Sequence, residues 1–558
     1  MVHRTAEATE RSATRALLVP LAGIVALSLA IRLAWLGDPP LDTAESRRAL
    51  EGWTLWREAR VAYESAPMFT NLLSAVFGLF GGGEIQARLV PTLLGAALSA
   101  AAVLLYPFEQ RARTIATAIM LALTPSLIVA SRSASPEILV AASTVVVAGA
   151  AYQYTRGERQ VWLTTALVAL VAGLGSDPSF VPAVGTLILA VAIAEGDSLV
   201  RAPWWAAARR HLPTSAAIAV TMGVLLDSRA LMNLAGVQAG LVDPFWRWLG
   251  DVVRGGGLTA PAVVGLRDGA CLMLAIVGLA SYRTDYRRVR LLAAWLLVSL
   301  TLTALVRQPD PRYLLLPAVP AALLAGLGLA ELWTYLAPRM NARVALTTIA
   351  LFAPFVTAAF HVNTTLASNP QPWMAALAVV AAGLLIVALA SLSWLNRAEL
   401  IGALLGFIPA LALVWTVSTA SRLIEARGSE RAQLTGPTAM TAEMRTVREE
   451  VLRWQREDPI GRIIVDPALR PLVAWALRDI PTLRYESDTL DTLSPRLLAG
   501  APASVGEDVR ARAVTVGYAT EWNTLSLTPA RLWRWVFGRQ NLVDQKAYAI
   551  LVVQPAGR

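Results

Sequence analysis

The sequence has almost no lysine and almost no cysteine. Lys546 is its single lysine and Cys271 its single cysteine, which excludes an intrachain disulfide and any cysteine-built metal site. Charge is scarce too, at 16% against the ~25% usual in soluble proteins. Hydrophobic residues make up 56%, so this 558-residue chain is not an ordinary set of soluble domains. Its solvent is largely lipid.

What charge there is has a pattern. The net charge of +10 comes almost entirely from arginine, and the arginines sit between apolar segments. That is the positive-inside signature of a membrane protein, not a nucleic-acid patch, and no nucleic-acid partner is expected. The N-terminus carries His3, Arg4, Arg11 and Arg15 ahead of a long apolar run with no small-residue cleavage site, which reads as a retained first span.

A spanning helix needs about 20 mostly apolar residues. Candidate cores lie at 16–36, 89–106, 115–130, 138–151, 161–175, 180–194 and 213–226, then at 258–280, 291–306, 313–336, 344–360, 373–394 and 400–417. About thirteen crossings follow. With the N-terminus in the cytoplasm, the arginine clusters at 111–113, 156–159, 201–210, 283–290 and 339–343 all fall inside. Counting the apolar stretch 68–80 as another span would invert every later cluster, so it is expected to be a re-entrant or surface helix.

The odd number of crossings puts the tail outside. The expected organisation is an α-helical polytopic membrane domain over 1–420 and a small exterior α/β domain over 421–558. In the tail, helices are expected at 441–456 and 469–478 and strands at 462–466 and 547–553. No long internal repeat is evident, which argues against a repeat-built transporter. The expected location is the cytoplasmic (inner) membrane, with membrane lipids as partners.

The chemistry-bearing residues cluster on the exterior side. After the first span come Gly37-Asp38-Pro39-Pro40-Leu41-Asp42-Thr43-Ala44-Glu45. Spacing of three places Asp42 and Glu45 on one helix face, where they can meet one ligand; the same spacing is that of an N-terminal capping box. The two roles can coexist.

The passage resembles the start of a C-type glycosyltransferase (GT-C) fold, and in particular glycosyltransferase family 39, which includes protein O-mannosyltransferases, and an archaeal flippase-associated family. An acidic motif after the first span is followed by Ser65-Ala66-Pro67, Leu79-Phe80-Gly81 and Ala87-Arg88-Leu89-Val90-Pro91, as in that family. Ser131-Arg132-Ser133-Ala134-Ser135-Pro136-Glu137 is similar to the family's Arg-x4-Asp segment, with Glu137 in place of Asp. The stretch from Arg307 through Arg312-Tyr313-Leu314-Leu315-Leu316-Pro317 looks like its exterior Arg-x-x-x-Arg-Tyr-Leu-Leu-Pro, and Trp475-Ala476-Leu477-Arg478-Asp479 is similar to a motif of the flippase-associated group. The acidic motif departs from the family's usual adjacent Asp-Glu, since two residues intervene here.

The resemblance implies a sugar donor carried on polyprenyl phosphate and an acceptor hydroxyl that attacks the anomeric carbon with inversion. Asp42 is the expected base. Glu45 would orient it, raise its basicity by like-charge repulsion, or bind a sugar hydroxyl. Arg132, Arg307 and Arg312 are candidate ligands of the leaving phosphate, each alternatively a snorkelling anchor. Glu137 is a further substrate-binding candidate, alternatively an ordinary helix start after Pro136.

The acceptor, whether protein, lipid or glycan, is not indicated. No cofactor is required by the pattern, and a divalent metal held by carboxylates is left open. His211 and His361 face opposite sides and cannot share one. Arg267 and Asp268, inside an apolar run, read as a structural ion pair. Trp246 and Trp248 read as an interfacial belt, and Trp533 and Trp535 as tail residues resting on lipid. The competing class is a non-catalytic lipid-carrier flippase or transport accessory, which would spread polar groups along a path between both faces.

Overall fold

A computed structural model describes residues 2–37, 41–58, 66–106, 110–196, 203–253, 265, 267–305, 311–351, 354, 381–383, 385–387, 389, 395–425, 448–449, 451–453, 462–464, 470–479, 484–486, 511–519 and 545–553. Of the expected span at 344–360 the residues 344–351 and 354 are described, and the expected span at 373–394 lies mostly outside the described residues.

The described chain is an α-helical polytopic membrane protein. Its first helices are α1 (Val2–Leu33), α2 (Thr43–Glu58), α3 (Pro67–Phe80) and α4 (Glu84–Leu98), the last running through a 3-10 turn into α5 (Ala102–Leu105). Then follow α6 (Arg111–Leu123), α7 (Pro125–Ser131), α8 (Glu137–Gly157), α9 (Gln160–Leu174) and α10 (Phe180–Glu195). Next come α11 (Trp204–Asp227), α12 (Ala235–Leu241), α13 (Asp243–Val253), α14 (Gly269–Gly278), α15 (Tyr286–Leu305), α16 (Leu315–Leu336) and α17 (Arg397–Glu425).

Among the described residues, four helical stretches are long and apolar enough to cross a membrane: Glu84–Leu105, Glu137–Gly157, Tyr286–Leu305 and Leu315–Arg339. A fifth is counted if α6 and α7 form one broken span, bent by 58°. Shorter apolar helices, such as Gln160–Leu174 and Phe180–Glu195, occupy other expected positions.

The bend corrects the reading of 115–130 as one continuous helix. Pro125 has no backbone N–H and disfavours helical geometry at Thr124, so the run breaks there. Asp268 caps the second half: its carboxylate accepts the Ser126 N–H at 3.0 Å and also the Ser126 hydroxyl. Asp268 therefore pairs with Ser126, and among the described residues no ion pair joins it to Arg267. The expected Arg267–Asp268 ion pair is thus not a direct contact: Asp268 caps α7, with the Arg267 charge acting on it from beside.

The bundle is assembled around α16. Its residues from Leu315 through Gly328 are buried without interruption. Glycines allow the closest approach: a Cβ at Gly278 of α14 would collide with the Leu324 carbonyl oxygen, and one at Gly328 with the Leu274 carbonyl oxygen. Two backbones thus meet without side chains between them, the small-residue packing that serves helices in lipid.

Among the described residues of the tail, four strands form one sheet in the order β2-β1-β4-β3. They are β1 (Arg462–Ile464), β2 (Arg484–Glu486), β3 (Ala511–Ala519) and β4 (Gln545–Val553), with α18 (Arg470–Ala476) between the first two. β1 pairs parallel with β2 and antiparallel with β4, while β3 and β4 pair antiparallel from Ala511↔Val553 to Ala519↔Gln545. The expected β1, β4 and α18 are present, and β2 and β3 are additions to the reading.

Candidate active site

The acidic pair after α1 forms the expected cap. Glu45 donates its N–H to Asp42 Oδ1 at 2.8 Å, and Asp42 donates its N–H to Glu45 Oε2 at 3.0 Å. This reciprocal arrangement satisfies two N–H groups that the start of α2 would otherwise leave open. Both side chains are withdrawn from solvent, with relative exposures of 2% and 1%.

Glu45 is also the junction of three segments. Arg88 of α4 grips it with a two-pronged contact, Nη2 to Oε2 at 2.7 Å and Nε to Oε1 at 3.0 Å. The Ala134 N–H donates to Oε1 at 2.6 Å, and Arg88 Nη1 reaches the Leu36 carbonyl at 2.9 Å. Acid and base are thus paired and hydrogen-bonded, the condition under which buried charges are tolerated. The loop leading to Glu137 is pinned to the same carboxylate.

Glu137 opens α8 and accepts the Ser135 hydroxyl at 2.9 Å. Arg132 turns back onto the end of α1, donating to the Arg32 carbonyl at 2.6 Å and the Ile31 carbonyl at 3.2 Å. An arginine there satisfies carbonyls that a helix end leaves open. Arg312 lies in the 3-10 turn Pro311–Leu314 just before α16. Arg307, His361, Trp533 and Trp535 lie outside the described residues.

Sequence reasoning assigned no role to two buried arginines. Arg32 donates to the Ser131 hydroxyl at 2.8 Å and the Ala122 carbonyl at 3.0 Å, tying α1 to both halves of the broken helix. Arg88 completes Glu45. The signal was present for each: a lone arginine at the edge of a long apolar run is expensive unless something pairs it.

The tail reaches this region as well. Arg478 donates to the Gly82 carbonyl at 2.6 Å and places its guanidinium 4.1 Å from the Trp475 ring centre and 5.7 Å from that of Trp53 in α2. Phe77 of α3 packs on Trp475 with ring centres 5.8 Å apart. The helix capped by Asp42 is therefore held at its other end by residues of the tail.

The tryptophans of α13 divide. Trp246 is exposed, whereas Trp248 leans on the cluster of Val140, Phe180, Ala183, Tyr313 and Leu316. His211 meets the Tyr154 hydroxyl at 3.3 Å. Among the described residues, no three His, Cys, Asp or Glu side chains gather as a metal site.

The arrangement offers an acid at a helix start, a second acid neutralised by arginine beside it, and a third at the adjoining α8. Comparison with solved structures supplies the frame. ArnT from Cupriavidus metallidurans bound to undecaprenyl phosphate superposes with a TM-score of 0.55 at 17% identity, covering 96% of this chain and 99% of that chain. ArnT from the same organism in the apo state also gives 0.55, at 16% identity, covering 96% and 98%. No family model matches the sequence, and no curated protein sequence matches it. At these identities the likeness establishes the fold alone, and the chain has the overall fold of ArnT.

Proposed function

We propose that the chain is a membrane glycosyltransferase that moves a sugar from a polyprenyl-phosphate carrier to an acceptor hydroxyl at the exterior face of the cytoplasmic membrane. The carrying observation is the placement of Asp42: a buried carboxylate at the start of α2, bonded to Glu45, which Arg88 grips in turn, within a chain whose fold superposes along its length on ArnT. The narrower kinship with family 39 rests on the sequence passages alone.

In the proposed reaction the acceptor oxygen attacks the anomeric carbon as its proton passes to the Asp42 carboxylate. The bond from that carbon to the phosphate oxygen breaks, with inversion, and polyprenyl phosphate departs. General-base assistance of this kind contributes about 10²–10⁴-fold. Glu45, gripped by Arg88 and bonded to the Asp42 N–H, acts as the group that orients the base. Arg132, Arg307 and Arg312 are the proposed phosphate ligands, Arg132 while also donating to the Arg32 carbonyl at the end of α1. Glu137 is the proposed contact to donor or acceptor hydroxyls.

The proposed topology has thirteen spans, a membrane domain over 1–420 and an exterior α/β domain over 421–558. The packing of Arg478 on Trp53 of α2 and of Trp475 on Phe77 of α3 supports a tail on the same side as Asp42.

The test is sugar transfer from labelled polyprenyl-phosphate sugars in membranes carrying wild type or Asp42→Asn. Loss of transfer by about 10²-fold or more, with unchanged protein level, is expected. Undiminished transfer would remove Asp42 as base, and failure of wild type with every lipid-linked donor would favour the non-catalytic carrier reading.

A further inference from the structure

The bundle has a second end, where arginines gather around the start of α15. Arg288 of α15 donates to the Tyr152 hydroxyl near the end of α8. Tyr152 lies roughly 22 Å along that helix from Glu137, at about 1.5 Å per residue. The start of α15 is therefore at the end of the bundle away from Asp42, Glu45 and Glu137. Acids there take up some of the arginines. Asp285 accepts Arg288 Nη1 at 2.7 Å and Arg113 Nη1 at 3.0 Å, Glu331 accepts Arg113 Nη2 at 3.0 Å, and Glu195 pairs with Arg287. Among the described residues, neither Arg283 nor Arg290 has a carboxylate within ion-pair distance.

Arg290 is held by tyrosine instead. Its Nη1 donates to the Tyr286 hydroxyl at 2.7 Å, and its guanidinium stands 5.2 Å from the Tyr286 ring centre. The Tyr282 ring meets that of Tyr286 nearly edge-on, with centres 4.5 Å apart. Arg283 follows Tyr282 in the 3-10 turn Leu279–Arg283 that continues α14. Both tyrosines and Arg283 are exposed.

Apolar surface leads up to this group on two helices. Met273, Ile276 and Leu279 are spaced three apart along α14 and its continuation, and all are exposed. On α15, Leu297 is exposed about two turns after Arg290, on the same face. An arginine at the end of an apolar stripe keeps its stem on hydrocarbon and its head among lipid headgroups, and tyrosine favours the same depth. A phosphodiester supplies what the group lacks: negative charge shared by two oxygens, each able to accept from a guanidinium. A soluble anion would meet the same guanidinium groups and leave both stripes bare. A phospholipid covers both.

We propose that Tyr282, Arg283, Tyr286 and Arg290 form a binding site for an anionic phospholipid of the leaflet opposite Asp42, the cytoplasmic leaflet in the proposed topology. The phosphodiester oxygens accept from Arg283 and from Arg290 Nη2, while Tyr286 keeps the Arg290 guanidinium in place through Nη1. The Tyr282 hydroxyl donates to a glycerol or ester oxygen, and the acyl chains lie along Ile276 and Leu297. The site goes beyond the glycosyl-transfer reading and does not rest on it.

The test is native mass spectrometry of the full chain in detergent, titrated with phosphatidylglycerol or with phosphatidylcholine of the same acyl chains. Wild type is expected to bind phosphatidylglycerol about tenfold or more tightly than phosphatidylcholine. Arg283→Gln and Arg290→Gln should each weaken phosphatidylglycerol about fivefold, and together about 25-fold, with phosphatidylcholine unchanged. Arg339→Gln is the control. It removes the same charge at the same end of the bundle, from a guanidinium 3.9 Å from the Tyr335 ring centre, and should leave phosphatidylglycerol binding within about twofold of wild type. Arg283→Gln changes an exposed side chain and decides the matter if Arg290→Gln does not fold. Equal binding of the two lipids by wild type overturns the site. A loss with Arg339→Gln as large as that with Arg283→Gln also overturns it, since diffuse charge would then account for the binding. Displacement of phosphatidylglycerol by inorganic phosphate at equal concentration would assign the arginines to a free anion and reject the lipid site.

Discussion

Glu45 and Arg88 meet through two parallel hydrogen bonds of 2.7 and 3.0 Å with neither side chain open to solvent. The pair joins α2 to α4 and, through the Ala134 N–H, to the connection before α8.

Breaking that pair from one side leaves a buried charge without its partner. Arg88→Leu is expected to destabilise the protein by about 3–5 kcal/mol, read as a lower thermal midpoint in detergent. The double variant Glu45→Leu with Arg88→Leu should recover much of the loss, because it removes both charges together. A double variant no more stable than Arg88→Leu would show that Glu45 contributes through its other contacts.

Asp42 combines a structural role with a proposed chemical one, and two substitutions separate them. Asparagine also caps helices well, so Asp42→Asn should keep stability within a few tenths of a kcal/mol. Asp42→Ala should lose about 1 kcal/mol. Both should abolish transfer to a similar degree if the carboxylate is the base; transfer that tracks the stability loss would assign Asp42 to the cap alone.

The tail's grip on α2 depends on Arg478. Burial holds the pKa of this guanidinium below its ordinary value, yet it stays charged at neutral pH. Arg478→Ala should speed hydrogen exchange along 43–58 without changing exchange within 315–328. Arg478→Lys should restore only part of the protection, since an ammonium cannot stack flat on tryptophan while bonding the Gly82 carbonyl.

The contact between α14 and α16 admits no side chain. Gly278→Ala and Gly328→Ala should each cost about 1–3 kcal/mol, because the added carbon would meet a backbone oxygen rather than a movable side chain. Thermal unfolding checks this, and a neutral outcome would mean that the two helices can part without penalty.

Local features were the most legible in the sequence. The Asp42 and Glu45 spacing announced a cap, and the run beginning at Phe180 started its helix where expected. Alternation in Ala511–Ala519 marked a strand that the apolar bulk of the chain overshadowed. The break at Pro125 was signalled by the proline but hidden by a continuous run of hydrophobic residues. Partnerships across long separations were out of reach. Neither Arg88 with Glu45, nor Arg132 with the end of α1, leaves a periodic trace, because each depends on how whole helices come together.

The contact from Arg478 to Gly82 spans 396 residues. At roughly 5–20 residues per second of synthesis, Trp53 and Phe77 wait about 20–80 s on the ribosome's clock before the residues that cover them exist. For that interval the aromatic face of α2 and α3 must be sheltered by lipid or by a chaperone. A chain cut short before Trp475 never ends that wait, so nonsense truncations late in the gene should mark the nascent protein for degradation even though most of its membrane helices are complete.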